Sequence, residues 1–264
     1  MIRVGVVGAT GRVGREVCRA VAADPDLALV AAVSRSAAGA SLADAIGLEG
    51  EAGDVVLAAR LEEIRDAGMH VLVDFTAPAY APDHVAWAID NDVHVVVGTT
   101  GFVVDDAWRE ASVGVIVAPN FAIGAVLLMR FAEQAARHLP AAEVIELHHD
   151  RKLDAPSGTA LLTAGRIAAA RRGTPEVTAD DEGRAGARGA DVEGVRVHAV
   201  RLPGLVAHEE VIFGGQGQTL TIRHDSTDRT SFVPGVVLAI KAAPTRPGLT
   251  VGLDAILDVD VSTG

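Results

Sequence analysis

Hydrophobic residues in the first half of the chain fall into short unbroken blocks separated by polar or glycine-rich breaks. Ile2–Val7, Leu27–Val33, His70–Phe75, His94–Val97 and Val113–Ala118 lack the in-out alternation of a half-exposed strand and read as strands buried on both faces. Between the first two, Val13, Val17, Ala20 and Val21 share one face of a helix that runs to about Ala23, and Ala81–Asn91 supplies another helical stretch. Strands alternating with helices imply an open, mostly parallel sheet covered on its faces. Past residue 121 the pattern changes. Ala122–His138 is helical, Glu143–His148 is a strand, and an Ala- and Leu-rich helix runs to Ala170. Val195–Leu202, Leu205–Phe213 and Thr219–Asp225 read as antiparallel strands, with Gly214-Gly215-Gln216-Gly217 as a hairpin turn. These elements predict a mixed sheet with helices on one face. Pro234–Ala242 is helical again, and the tail is expected to pack back on the first half, leaving the middle as an insertion. The polar stretch Gly173–Asp191 fits a loop over a site or a plain connector, and the pattern does not choose.

The break after the first strand carries chemistry. Gly8-Ala9-Thr10-Gly11-Arg12-Val13-Gly14 follows the strand at once and opens a helix. In that context glycines allow a tight turn, close approach of a pyrophosphate and helix–strand contact, although the G-x-x-G-x-x-G spacing matches the usual dinucleotide fingerprint only in part. The fold class is therefore α/β: a Rossmann-like parallel-sheet domain over residues 1–121 and 233–264, and an α+β domain with a mixed sheet over residues 122–232. The residue ending the second strand selects the dinucleotide, and here Val33 is followed by Ser34 and Arg35 rather than by a carboxylate. A carboxylate there would repel a 2′-phosphate, whereas Ser34 can hydrogen-bond it and Arg35 can pair with it. The expectation is a preference for NADPH with NADH use possible; the competing reading makes Arg35 an ordinary surface residue. Thr76-Ala77-Pro78-Ala79, Gly98-Thr99-Thr100-Gly101-Phe102 and Pro119-Asn120-Phe121 follow later strands, where an open parallel sheet binds its ligands, though Gly, Pro and Asn also make ordinary turns.

The densest segment is Glu146-Leu147-His148-His149-Asp150-Arg151-Lys152-Leu153-Asp154-Ala155-Pro156-Ser157-Gly158-Thr159. Two imidazoles and an ammonium can supply protons near neutral pH. Ser157 is the expected N-cap of the following helix, whose first turn, with Gly158 and Thr159, presents amide groups and a positive dipole end to a carboxylate or phosphate. The implied ligand is a small anion that needs a proton. A structural His pair and a simple cap explain each piece alone, but not Lys152, both His and the cap together. Metal binding by His148, His149 and Asp150 is disfavoured, because neighbouring side chains on a strand point to opposite faces and no second His or Cys cluster completes a site.

Composition narrows the partners. The chain has 264 residues, with 35 acidic against 23 basic for a net charge of −12, so neither nucleic acid nor an anionic membrane is an expected partner and any anionic ligand must be captured by local charge. Cys18 is the single cysteine, which excludes an internal disulfide framework and reads as a small packed side chain. Arg12, Arg15, Glu16 and Arg19 interrupt the apolar stretch that an export signal needs, and no apolar run reaches the length of a membrane span, so a cytoplasmic location is expected.

Taken together, G-A-T-G-R-V-G at Gly8–Gly14, V-D-F-T at Val73–Thr76, V-G-T-T-G-F at Val97–Phe102, A-P-N-F-A-I-G at Ala118–Gly124 and, above all, E-L-H-H-D-R-K-L-D-A-P-S-G-T-A at Glu146–Ala160 make the chain resemble the dihydrodipicolinate (4-hydroxy-tetrahydrodipicolinate) reductase family along essentially its whole length. The resemblance implies reduction of a small cyclic dicarboxylate to tetrahydrodipicolinate by hydride from NAD(P)H, in the diaminopimelate route to lysine. By the same resemblance His148 is the proton donor and acceptor and Lys152 the second acid. His149, Ser157, Gly158 and Thr159 would meet substrate; Gly8, Ala9, Thr10, Gly11, Arg12 and Val13 the pyrophosphate; and Gly98, Thr99, Thr100, Ala118, Pro119, Asn120 and Phe121 the nicotinamide side. It also implies a homotetramer built through the second domain's sheet. Ser34 departs from the Asp or Glu common in relatives. Two other readings stay open at this level. An aspartate-semialdehyde dehydrogenase needs a Cys nucleophile, and Cys18 is in the wrong domain for it; a non-catalytic dinucleotide sensor would bind cofactor without oxidising it.

Overall fold

The computed structural model describes residues 1–173 and 186–257, and the chain divides into two compact units, one of residues 1–121 with 232–257 and one of residues 122–231. In the first unit β1 (Ile2–Val7), α1 (Gly14–Ala23), β2 (Leu27–Val33), α2 (Leu42–Ile46), β3 (Leu57–Ala58), β4 (Val71–Asp74), α3 (Ala81–Asp90), β5 (His94–Val97) and β6 (Gly114–Val117) follow in order. The second unit holds α4 (Ile123–Ala136), β7 (Ala141–His148), α5 (Gly158–Ala170), β8 (Ala190–Val192), β9 (Val195–Arg201), β10 (Ala207–Gly215) and β11 (Gln218–Ser226). The chain then re-enters the first unit as α6 (Val233–Ala242) and β12 (Gly248–Val251).

The first sheet is parallel throughout, in the order β12-β6-β5-β4-β1-β2-β3. Its central strands are Val-rich because both faces are covered: Val4, Val6, Val71, Leu72, Val95 and Ile116 are fully buried. The order reverses between β1 and β4, so the loops after these strands diverge and leave the crevice in which doubly wound sheets take their ligands. On α1 the buried residues are Gly14, Val17, Cys18 and Val21. Burial pushes the Cys18 thiol up to about 12, so it stays protonated and acts as a packed apolar group. The edge strands β3 and β12 were not among the expected elements; β3 has only two residues, too few for a periodic signal.

In the second unit the sheet runs β11-β10-β7-β9-β8. It is mixed, as the pattern implied, but the reading of residues 195–202, 205–213 and 219–225 as antiparallel strands needs correction at the first of them. β9 lies on the far side of β7 and runs parallel to it, while β10 pairs antiparallel with both β7 and β11. A parallel neighbour requires a long crossover, and the connection containing α5 supplies one. β7 is thereby central, with Val144 aligned between Val211 of β10 and Val197 of β9 on the face that α4 and α5 cover. The helix expected over residues 122–138 is trimmed to α4. Most of the polar 173–191 stretch lies outside the described residues. No helix among the described residues is long and apolar enough to cross a membrane.

Candidate active site

The turn after β1 is built for close approach. Gly8 has φ +81, which only glycine adopts without strain, and a Cβ there would sit 2.6 Å from the Phe75 carbonyl oxygen. A Cβ on Gly14 would overlap the Gly8 backbone, and one on Gly98 would overlap the Phe75 ring. These glycines thus let the turn, the start of α1 and the Phe75 segment pack closer than any side chain would allow. Behind the turn, the Thr10 and Ser34 hydroxyls meet at 2.6 Å, and Ser34 lies 3.3 Å from the Ser36 hydroxyl. The Arg35 guanidinium sits 4.7 Å from the centre of the Tyr80 ring and donates to the Tyr80 hydroxyl at 3.1 Å. Tyr80 in turn stacks on His84. Gly8, Ser34, Arg35, Tyr80 and His84 help line a cavity of about 850 Å³ in this unit.

Beside that cavity, at the end of β4, lies the fully buried Asp74. Burial alone would raise its carboxyl, but hydrogen bonds from His84 Nδ1 and the Thr99 hydroxyl, together with the Thr76 backbone, hold it below the usual carboxylate range. Thr99 Oγ1 donates to Asp74 at 2.6 Å and accepts from the Thr76 amide at 2.9 Å. Thr99 therefore turns its side chain inward and leaves backbone for a cofactor, whereas Thr100 is exposed. Ala118 and Phe121 are buried, with the Phe121 ring 5.8 Å from that of Phe75, while Pro119 is exposed. Arg12 is exposed and Val13 half-buried at the start of α1.

In the second unit β7 delivers His148 at its last position. Glu146, two residues earlier and fully buried, accepts from His148 Nδ1 at 2.5 Å. Arg201 of β9 forks onto the same carboxylate at 2.7 and 2.8 Å, and the Ser157 amide donates to it at 3.0 Å. Burial raises the Glu146 carboxyl, but the bonds from His148 and Arg201 and their charges outweigh it and bring it down to about 2. One ionised carboxylate thus ties the imidazole, a guanidinium and the start of α5 together. With Nδ1 engaged, His148 keeps Nε2 for a ligand.

Ser157 caps α5, its hydroxyl accepting from the Ala160 amide at 3.2 Å, a contact worth about 1 kcal/mol. The first turn of α5 carries no acidic residue, and a Cβ on Gly158 would meet nothing within 4 Å, so the helix start is open to an anion. His149 has a buried Nδ1 with no hydrogen-bond partner among the described residues. Lys152 Nζ is 2.7 and 2.8 Å from the Asp154 carboxylate, whose backbone carbonyl also accepts from Arg201.

Glu146 and Arg201 are residues to which sequence reasoning gave no role. Strand periodicity puts Glu146 on the same face as His148 and so carried a signal. Arg201 lies 55 residues from Glu146, and only the parallel pairing of β7 with β9 brings it there. Asp74 lies in the V-D-F-T motif but was given no role, and His84 and Tyr80 carried no motif that set them apart.

Residues 2–121 match the family model described as dihydrodipicolinate reductase, N-terminus, and residues 124–257 the model described as dihydrodipicolinate reductase, C-terminus. A 4-hydroxy-tetrahydrodipicolinate reductase of Nocardia farcinica is 52% identical over 98% of this chain and 99% of its own. One of Mycolicibacterium vanbaalenii is 50% identical over 98% of this chain and 100% of its own. Among solved structures, a dihydrodipicolinate reductase from Paenisporosarcina sp. TG-14 with dipicolinate bound is 40% identical with a TM-score of 0.84, covering 97% of this chain and 99% of that one. The chain belongs to the dihydrodipicolinate reductase family.

Proposed function

We propose that the protein is a 4-hydroxy-tetrahydrodipicolinate reductase, an NAD(P)H-dependent oxidoreductase that reduces its cyclic dicarboxylate substrate to tetrahydrodipicolinate, the step that the family name implies in diaminopimelate and lysine biosynthesis. The observation that carries the mechanism is the buried Glu146 carboxylate, which joins His148, Arg201 and the amide of Ser157. The reduced nicotinamide, when bound, supplies the hydride. Everything else falls to side chains of this chain. Reducing a conjugated imine leaves negative charge on the adjacent carbon and nitrogen, and His148 is the acid that quenches it through Nε2, with Lys152 as the second acid. Gly158 and Thr159, at the capped start of α5, receive one substrate carboxylate through backbone amides, and Nδ1 of His149, which has no partner among the described residues, offers a further contact. For the cofactor, the Gly8–Val13 turn takes the pyrophosphate, and Gly98–Thr100 with Ala118–Phe121 lines the nicotinamide side. The close packing at Gly8, Gly14 and Gly98 supports this reading by keeping the turn tight, as the dinucleotide motif requires.

NADPH is the preferred reductant in this reading. Ser34 is 6% exposed and its hydroxyl is held by Thr10 and Ser36, so the end of β2 presents no negative charge. Arg35 is held over Tyr80, poised to pair with a 2′-phosphate. Arg60 also lines the cavity; Glu62 and Asp83 do so too, but from other elements than the end of β2. The test is to condense pyruvate with aspartate semialdehyde enzymatically, add the protein, and follow NADPH against NADH consumption. Oxidation of neither removes the proposed activity, and a lower KM for NADH removes the preference.

We further propose a homotetramer built through the second unit's sheet, in a cytoplasmic setting. On the face opposite α4 and α5, half-buried Ile145, Leu147, Val200 and Ile212 form an apolar strip across three strands. Light scattering at the mass of one chain would exclude the assembly, and Ile212→Arg should dissociate it.

A further inference from the structure

The Arg35 guanidinium has one side-chain partner among the described residues, Tyr80, and meets it twice: it lies 4.7 Å from the ring centre, and Nη1 donates to the hydroxyl at 3.1 Å. A surface arginine at the end of a strand ordinarily samples many rotamers, and fixing it on binding weakens whatever contact it makes. Here the platform under the guanidinium is itself anchored. Tyr80 leads into α3 and His84 follows four residues later, so their rings share one face and stack with 6.3 Å between centres and 20° between planes. His84 Nδ1 is bound to the buried Asp74 carboxylate, which also accepts from the Thr99 and Thr76 hydroxyls. The imidazole is therefore held from below, and the Tyr80 ring has a fixed face to lie on. From the core outward the order is Asp74, His84, Tyr80, Arg35.

The charges around the cavity give this stack a consequence. Glu62 and Asp83 line the same cavity as Arg35, Tyr80 and His84. Pairing with either carboxylate would neutralise the guanidinium and commit its forked donors. Arg35 makes no ion pair among the described residues. A neutral phenol takes one of its five N–H groups and leaves the charge and the other four for a ligand. The ring presents the negative face of its quadrupole to the cation, which holds it in place without cancelling its charge.

We propose that Tyr80 is a positioning residue that sets reductant specificity: it holds the Arg35 guanidinium at the cavity, clear of the neighbouring carboxylates, where the 2′-phosphate of NADPH is received, and so favours NADPH over NADH without touching the phosphate. The inference rests on the reading above that Arg35 pairs with that phosphate.

The test compares dissociation constants for NADPH and NADH, from fluorescence titrations of the full chain, in wild type, Tyr80→Leu, Tyr80→Phe, Arg35→Gln and the Arg35→Gln, Tyr80→Leu double variant. The ratio of the two constants does not depend on how much of a variant folds. Tyr80→Leu should weaken NADPH about fivefold and leave NADH nearly unchanged, and Tyr80→Phe, which keeps the ring, should restore most of the lost affinity. Because the effect passes through the guanidinium, Tyr80→Leu should not alter the ratio further once Arg35 is replaced. A loss shared equally by both dinucleotides overturns the proposal, since Tyr80 would then serve a part they have in common. Tighter NADPH binding by Tyr80→Leu overturns it too, as does a change in ratio that persists in the Arg35→Gln background. If Arg35→Gln itself leaves the ratio unchanged, the reading of Arg35 as the phosphate's partner fails and takes the proposal with it. If Arg35→Gln collapses the ratio while Tyr80→Leu does not, that reading stands and the positioning role of Tyr80 alone falls.

Discussion

At the scale of single residues, Glu146 decides what His148 can do. Its carboxylate fixes the imidazole through Nδ1 and so determines which nitrogen faces a ligand. Removing the acid and removing its support should therefore look different. His148→Ala should lower turnover about 10²–10⁴-fold with NADPH affinity unchanged, because the turn proposed to take the cofactor belongs to the other unit; an equal loss of cofactor binding would place the imidazole in the wrong role. Glu146→Gln keeps the shape but removes the carboxylate onto which Arg201 forks. It should cost about 3–5 kcal/mol in urea unfolding as well as turnover, whereas His148→Ala should cost far less stability. Comparable unfolding midpoints for the two variants would contradict the bridging role of Glu146. His148 and Lys152 were legible in the sequence because they are crowded into one motif. Arg201 was not, because it reaches Glu146 only through strand pairing.

At the scale of elements, two glycines in opposite surroundings make a controlled pair. Gly98 lies under the Phe75 ring, so Gly98→Ala must displace that ring and with it the loop after β5. A destabilisation of about 1–3 kcal/mol is expected, together with weaker NADPH binding in a fluorescence titration. Gly158 faces open space, so Gly158→Ala should leave the unfolding midpoint nearly unchanged while raising the KM for substrate, its methyl occupying the approach to the helix start. If both variants lose stability equally, Gly158 is a structural residue. The parallel strands and α5 were legible because buried blocks and an N-cap are local signals. The placement of β9 was not, because consecutive strands favour hairpins in any local reading, and only the central, fully sandwiched position of β7 overrides that preference.

At the scale of the whole molecule, the Glu146 carboxyl and that of Glu209, directly across from it on β10 and 5% exposed, give stability opposite pH dependences. Glu146 has its folded value depressed from 4.5 to about 2, so its contribution is present above pH 4.5 and is lost as pH falls toward 2. Asp74 in the first unit, also depressed, acts in the same direction. Glu209 has its folded value raised from 4.5 to about 7, so its contribution is complete below pH 4.5 and is lost as pH rises to about 7. Replacing Glu209 by Gln removes only the second term. Wild type and Glu209→Gln should then unfold at similar urea concentrations at pH 4.5, and the variant should gain on wild type up to pH 7, by on the order of 3 kcal/mol, with no further gain above pH 8. A stability difference that stays constant from pH 4.5 to 8 would mean that Glu209 ionises in the folded protein as it does in the unfolded chain.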